Sequence, residues 1–437
     1  MEEAMPSTTY LALESIQGFL DPQEYEAAYS EALSQAMKDI LGGDRASTVL
    51  ILPPDGTRLH SGAGRLTDLA VSRIGPRLAG IMPALGTHLP MSSEEIKRMF
   101  PGSPLDKFLV HDWRNDVVEL GRIEGAFLAR ASQGAVDYDW PAQVNKALLS
   151  PGLGMVISIG QVVPHEVAGM ANHAKNLFVG AGGKEGIDKS HFAGAAFGME
   201  RVMGRLDNPV RALFDEALAR WGSSMPPVLW ALTVVAATPG GGVGLKGLYL
   251  GTGRDCLERA AAMARRANIT ELPRPIRKAV AYLDPTEYRS TWLGNKAIYR
   301  TRMAMADEGE LLVLAPGLET FGEDKGIDAL IRRYGYRGRE TTLAAVKERP
   351  DLAASLSAAA HLMHGSTDGR FSVRYCPGRG VSRAEIESVG FKWGDLDEAL
   401  SLYDPARLST GYNAIGGEEI FFIPNPALGL WSVEGRL

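Results

Sequence analysis

Apolar residues recur at helical spacing in the first polar stretch of the chain, then give way to short continuous runs. Within 22–40, Tyr25, Tyr29, Leu33, Ala36 and Ile40 fall on one helix face, so the first 45 residues read as a polar, helical lead-in. From Ser47 the texture becomes α/β. STVLILPP predicts a strand, and GAGRLTDLAVSRI predicts the helix after it. GIMPALGTH predicts a second strand, and Ser92 with Glu95 forms a capping box opening the helix SSEEIKRMF. KFLVHDW, GMVISIGQVV and PPVLWALTVVAAT predict three further strands, the last followed by a GGGVG turn and GLKGLYLG. Such alternation predicts a mainly parallel sheet covered by helices, with functional groups just past the strand ends.

A second unit starts near Leu272, where ELPRPIRKAV is basic and broken by proline. GELLVLAP leads as a strand into GLETFGEDKGIDALIRRYG. An alanine-rich helix is expected over 351–364, a strand at FSVRYCPG, and an apolar tail from IFFIPNP. The expected fold is α/β with two domains. The larger, Rossmann-like N-terminal domain takes 1–272 and, packing back on it, the tail 410–437. The smaller α/β domain takes 273–409 and closes an active site in the cleft.

Composition narrows the function. Lys and Arg total 46 against 52 Asp and Glu, a net charge of −6, which gives no basic surface for nucleic acid or anionic lipid. Two cysteines, Cys256 and Cys376, cannot build a disulfide framework or a four-cysteine zinc site. The acidic start MEEAMPSTTY has the wrong charge for a signal or transit peptide. The most apolar run, 228–238, has 11 residues where a bilayer needs about 20. A cytoplasmic protein that binds no membrane is expected.

Candidate chemistry collects after the predicted strands. Asp55-Gly56-Thr57-Arg58 follows the first, and its arginine offers a planar fork for a carboxylate or phosphate. Leu85-Gly86-Thr87-His88 follows the second. The fourth leads into Gly160-Gln161-Val162-Val163-Pro164-His165, then Asn172-His173-Ala174-Lys175, then Val179-Gly180-Ala181-Gly182-Gly183, with His191 beyond. Six of eight histidines (60, 88, 111, 165, 173 and 191) lie within a third of the chain, which admits a zinc-dependent hydrolase. His165-Glu166 does not extend to the H-E-x-x-H metalloprotease motif, because position 169 is glycine. His361 and His364, three apart, suit the negative end of their helix as cations or could hold a metal. The 239–244 turn, PGGGVG, lacks the Lys-Ser/Thr of a phosphate loop, and no G-x-S-x-G elbow occurs. A nucleotide-binding regulatory protein without turnover also stays open.

Taken in order, DGTR, ALGTHLPM, GQVVPH, a lysine ten residues later and a histidine 16 further on resemble the nickel-dependent lactate racemase family. GLKGLYLG and LLVLAPGLETFGEDKG extend the resemblance through most of the chain. It implies an isomerase that inverts C2 of a 2-hydroxy acid with a nickel-pincer nucleotide, the pyridinium-3-thioamide-5-thiocarboxylic acid mononucleotide of Ni(II). Lys175 would hold the cofactor through a thioamide, and His191 would complete the square-planar nickel shell, a donor set that suits Ni(II). His88 and His165 would be the acid/base pair and Arg58 the clamp on the substrate carboxylate. Asp55 and Thr57 would orient Arg58 or bind the ribose, and Trp292 and Lys296 would contact the cofactor. Cofactor-biosynthesis proteins would be partners.

Departures from the family pattern sit around the pocket. Leu89 replaces an arginine, Asn172-His173-Ala174 replaces a glycine- and serine-rich segment, and Leu293 replaces glutamine in Trp292-Leu293-Gly294-Asn295-Lys296. They point to a 2-hydroxy acid other than lactate, of mannonate or gluconate type.

Overall fold

The computed structural model describes residues 7–44, 46–239 and 241–437. The acidic start up to Pro6 and Gly240 of the glycine-rich turn therefore lie outside the described residues. The chain forms two compact units, Met1–Ser190 with Met203–Asn268, and His191–Val202 with Ile269–Leu437.

The first unit is built on a six-stranded sheet of β1 (Thr9–Glu14), β2 (Thr48–Leu52), β3 (Leu78–Ile81), β4 (Leu153–Gln161), β5 (Val228–Ala237) and β6 (Val243–Gly251), in the order β1-β6-β5-β4-β2-β3. β5, β4, β2 and β3 are parallel, as the alternating pattern predicts. β6 is antiparallel to β5 because the turn joining them is too short for a crossover, and β1 adds antiparallel beyond it. β1 thus corrects the reading of the lead-in as wholly helical. The helix itself runs Pro22–Leu41, capped by Asp21, whose side chain accepts from the amides of Gln23 and Glu24. On one face of the sheet Val49, Ile51, Ile157, Ile159, Leu229 and Ala231 bury against Tyr29, Leu33 and Ala36 of that helix and Leu66 and Ala70 of Ala63–Ile74. Covered on both faces, these strands read as unbroken apolar runs.

KFLVHDW is not a strand. Phe108 makes a single parallel bridge to Ile81, and the segment leaves the sheet. A separate hairpin of Val117–Ile123 and Trp140–Asn145, which the pattern does not predict, lies in the same unit.

The second unit has its own sheet of β7 (Ile276–Tyr282), β8 (Met305–Ala315), β9 (Ser372–Pro377), β10 (Lys392–Trp393), β11 (Gly411–Ile415) and β12 (Glu418–Ile423), ordered β10-β9-β8-β7-β12-β11. All neighbours are parallel except β11 and β12, which form a hairpin. The tail expected on the first unit instead completes this sheet, because Phe421, Phe422 and Ile423 pair with Ala279, Val280 and Ala281. Its last strand, Trp431–Val433, pairs with Thr270–Leu272.

The segment His191–Val202 joins the second unit for an electrostatic reason. Glu200 accepts from Arg302 Nε at 3.0 Å and Arg370 Nη1 at 2.5 Å, and the Ala196 carbonyl accepts from Arg339 Nη1 at 2.9 Å. The alanine-rich stretch breaks into Pro350–Ala353 and Leu356–His364. No helix among the described residues is long and apolar enough to cross a membrane.

Candidate active site

The polypeptide beyond the carboxyl ends of β2, β3 and β4 carries the candidate chemistry of the first unit. Past the regular strands, β2 and β3 stay in register: Met82 N donates to the Ile51 carbonyl, Ala84 N donates to the Pro53 carbonyl, and Pro54 bridges Ala84. This extension brings the Asp55 turn beside the His88 turn. Gly86 adopts φ 58° and donates its amide to the Gly180 carbonyl at 2.8 Å, so the His88 turn is also tied to the 179–183 segment.

Asp55 caps the short helix Gly56–Ser61. Its Oδ1 accepts from the Thr57 amide at 3.2 Å and from the Thr57 hydroxyl, and its Oδ2 lies 2.7 Å from His88 Nδ1. Burial alone would raise the Asp55 pKa, but the bonds from His88 and Thr57 outweigh it and hold the carboxyl below its ordinary value. Asp55 thus orients His88 by a side-chain bond, and it accepts the Arg58 backbone amide at its carbonyl. The His88 side chain is 59% exposed, open to a ligand.

His165 lies on a two-residue hairpin, Pro164–His165 against Gly169–Met170. Its Nδ1 accepts from the Val167 amide at 3.1 Å. The chain then runs back across the sheet through two successive left-handed residues, Asn172 (φ 68°) and His173 (φ 58°), uncommon outside glycine. The fully buried Arg211 holds this bend, donating to the Met170 carbonyl at 2.6 Å and the Asn172 carbonyl at 3.3 Å. Gly160 leaves room for it, because a Cβ there would sit 2.5 Å from Asn172 Nδ2.

Lys175 leaves this bend into a single π-helical turn, Asn176–Gly180. Burial, then Arg58, pushes its ammonium pKa down to about 8, with Arg211 adding and with Glu166 and Asp55 opposing. The site therefore gathers Asp55, Thr57, Arg58, His88 and Lys175, and adds Glu166 and Arg211, which sequence reasoning missed. Glu166 carried no signal beyond the failed metalloprotease motif. Arg211 had one, since it shares the apolar helix face of Phe214 and Ala217, where an arginine is out of place.

The histidines crowded along the chain are dispersed in space. His173 lies on the Trp230 ring at 4.2 Å, and burial, reinforced by Arg211 and Arg254, pushes its pKa down to about 3. His111 is buried between Asn145 Nδ2 at 2.9 Å and the Gly182 carbonyl at 3.0 Å. Among the described residues no group of three or more His, Cys, Asp or Glu is placed to hold a metal.

His191, Trp292 and Lys296 belong to the second unit. Trp292 stacks on His361 at 4.4 Å, and His361 Nε2 lies 3.0 Å from the Tyr336 hydroxyl, itself 2.8 Å from Thr291 Oγ1. Burial, then His364, pushes the His361 pKa down to about 3. His361 is thus a neutral support beneath Trp292, which corrects its reading as a cation at a helix end.

Solved structures that share this fold include two from thermophilic bacteria. A Thermotoga maritima protein, solved in the crystal as a structural-genomics target, is 21% identical, with 97% of this chain and 100% of that chain covered at a TM-score of 0.75. The lactate racemase apoprotein from Thermoanaerobacterium thermosaccharolyticum is 15% identical, with 92% of each chain covered at a TM-score of 0.65. The chain therefore has a lactate racemase-like fold. No protein-family profile matches it, and no curated protein matches it in sequence.

Proposed function

We propose that this protein is a racemase or epimerase inverting C2 of a 2-hydroxy acid, with a nickel-pincer nucleotide held on Lys175. The observation that carries the reading is the partly buried Lys175 amine, set in the fields of Arg58, Arg211, Glu166 and Asp55 and brought to a pKa of about 8. An ordinary lysine is almost wholly protonated at neutral pH and a poor nucleophile, whereas this one keeps a reactive fraction suited to acylation. By the lactate racemase resemblance, Lys175 would supply the amine that holds the group and His191 an imidazole, a donor type that suits Ni(II) beside the cofactor's own sulfur. By the same resemblance, Trp292 and Lys296 would contact it. Likeness of fold to a lactate racemase adds to the case.

Bound on Lys175, the group supplies an acceptor for the C2 hydrogen, so that no carbanion forms beside the carboxylate. The chain's own residues do the rest. Arg58 holds the substrate carboxylate through its planar fork and keeps it held while the carbon turns over. His88, oriented by Asp55, takes the hydroxyl proton at Nε2. His165 is the second imidazole of the pair.

The test is the intact mass of protein co-expressed with the pincer-biosynthesis proteins. Wild type should carry a covalent adduct and Lys175→Ala should be folded without one. An adduct surviving in the variant would remove the assignment.

A further inference from the structure

We propose that His88 and His165 are held in opposite tautomers, giving the site one imidazole base and one imidazole N–H donor instead of two interchangeable bases. The consequence for catalysis rests on the racemase reading, while the tautomers rest on geometry alone.

At His88 the partner of Nδ1 is the Asp55 carboxylate, 2.7 Å away. That carboxyl is buried, ionised below its ordinary range, and also accepts from the Thr57 amide at 3.2 Å and the Thr57 hydroxyl. An ionised carboxylate only accepts, so the proton resides on His88 Nδ1 and the lone pair on Nε2. At His165 the partner of Nδ1 is the Val167 amide at 3.1 Å, with the Ala168 amide at 3.5 Å on the same nitrogen. An amide N–H only donates, so Nδ1 carries the lone pair and Nε2 the proton. Neither partner can reverse its role: one is a buried anion and the other is main chain.

The two rings therefore start unequal. His88 Nε2 can accept a hydroxyl proton at once. His165 Nε2–H can donate a hydrogen bond to a substrate oxygen, but it becomes a base only after giving up its Val167 bond or changing tautomer. The substrate epimer whose hydroxyl meets His88 is served directly, and the opposite epimer carries the rearrangement.

Long-range 1H–15N correlation spectra of the full chain labelled with 15N-histidine, at about pH 8 and without cofactor, read the tautomers directly. His88→Gln and His165→Gln assign the two rings by loss of their signals. Each should favour its stated tautomer at least about tenfold, as expected for losing one hydrogen bond of ordinary strength. Asp55→Asn, whose amide can donate as well as accept, should mix the His88 tautomers and leave the His165 signals unmoved. The same tautomer in both rings, or an even mixture in the wild type, would overturn the proposal. Because no loading is required, a missing Lys175 adduct would leave this result standing.

Discussion

Replacing Lys175 with methionine should stabilise the folded protein at neutral pH. Methionine matches the side chain out to Cε and removes the charge that burial, Arg58 and Arg211 disfavour. An ordinary lysine titrates near 10.4, and in the fold Lys175 titrates near about 8. Its folded pKa is depressed, so the unfolded chain binds more protons between those values and stability rises with pH across that window. Well below pH 8 the penalty has its full size, about 3 kcal/mol for a shift of this extent. It falls to about 2 kcal/mol near pH 9 and nearly vanishes by pH 10.5. Lys175→Met should recover most of it. Urea unfolding followed by tryptophan fluorescence, at intervals from pH 7 to 10.5, should show a midpoint raised by about 1 M at pH 7, with the advantage shrinking as pH rises. A variant no more stable than wild type at pH 7, or a gain that stays constant with pH, would refute the argument. A gain of this kind would mark Lys175 as a residue kept for chemistry at the expense of stability.

His173 and His361, both pushed down to about 3, make the fold acid-labile between about pH 6.5 and 3, because the unfolded chain takes up protons there that the folded one refuses. His173→Phe should flatten part of that loss in urea midpoints measured from pH 7 to 4. Gly160→Ala, forcing a Cβ to within 2.5 Å of Asn172 Nδ2, should cost about 1–3 kcal/mol and lower the Lys175 adduct yield in intact mass spectra. Among 2-hydroxy acids assayed for C2 inversion, an aldonate of mannonate or gluconate type should exceed lactate in kcat/KM. Leu89, 88% exposed, and Leu293, 41% exposed, stand where the lactate racemase resemblance would put polar side chains, and a site built on other hydrogen bonds discriminates strongly.

Much of this was legible in the chain because local chemistry marks it. The strands feeding Asp55 and His165 are buried except at their ends, so they read as apolar runs followed by turn residues, and the structure places both side chains just past those strands. Asp55 itself was read beside Arg58 or the ribose, without its bond to His88. Its bond to His88 depends on two strand ends lying side by side, which spacing along one strand does not reveal. Arg211 betrayed itself only as an arginine on an apolar helix face, and its partners, carbonyls on a bend about forty residues earlier, leave no local pattern. The tail was misplaced for a similar reason: an apolar segment announces that it will be buried, and only the pairing of Phe421 with Ala279 says where.

The order in which the chain emerges during synthesis gives the His191–Val202 segment a waiting time. It is made between two stretches of the first unit, while the arginines that hold it, Arg302, Arg339 and Arg370, come far later. Arg370 lies 168 residues after Val202, which at ~5–20 residues per second is on the order of ten seconds or more on the ribosome. For that interval Ala193, Ala195, Ala196, Phe192 and Phe197, all buried in the finished protein, lack the unit they belong to. Neither unit can be excised as one uninterrupted stretch of gene, and a ribosome stalled before Arg302 holds a chain whose apolar segment invites chaperones.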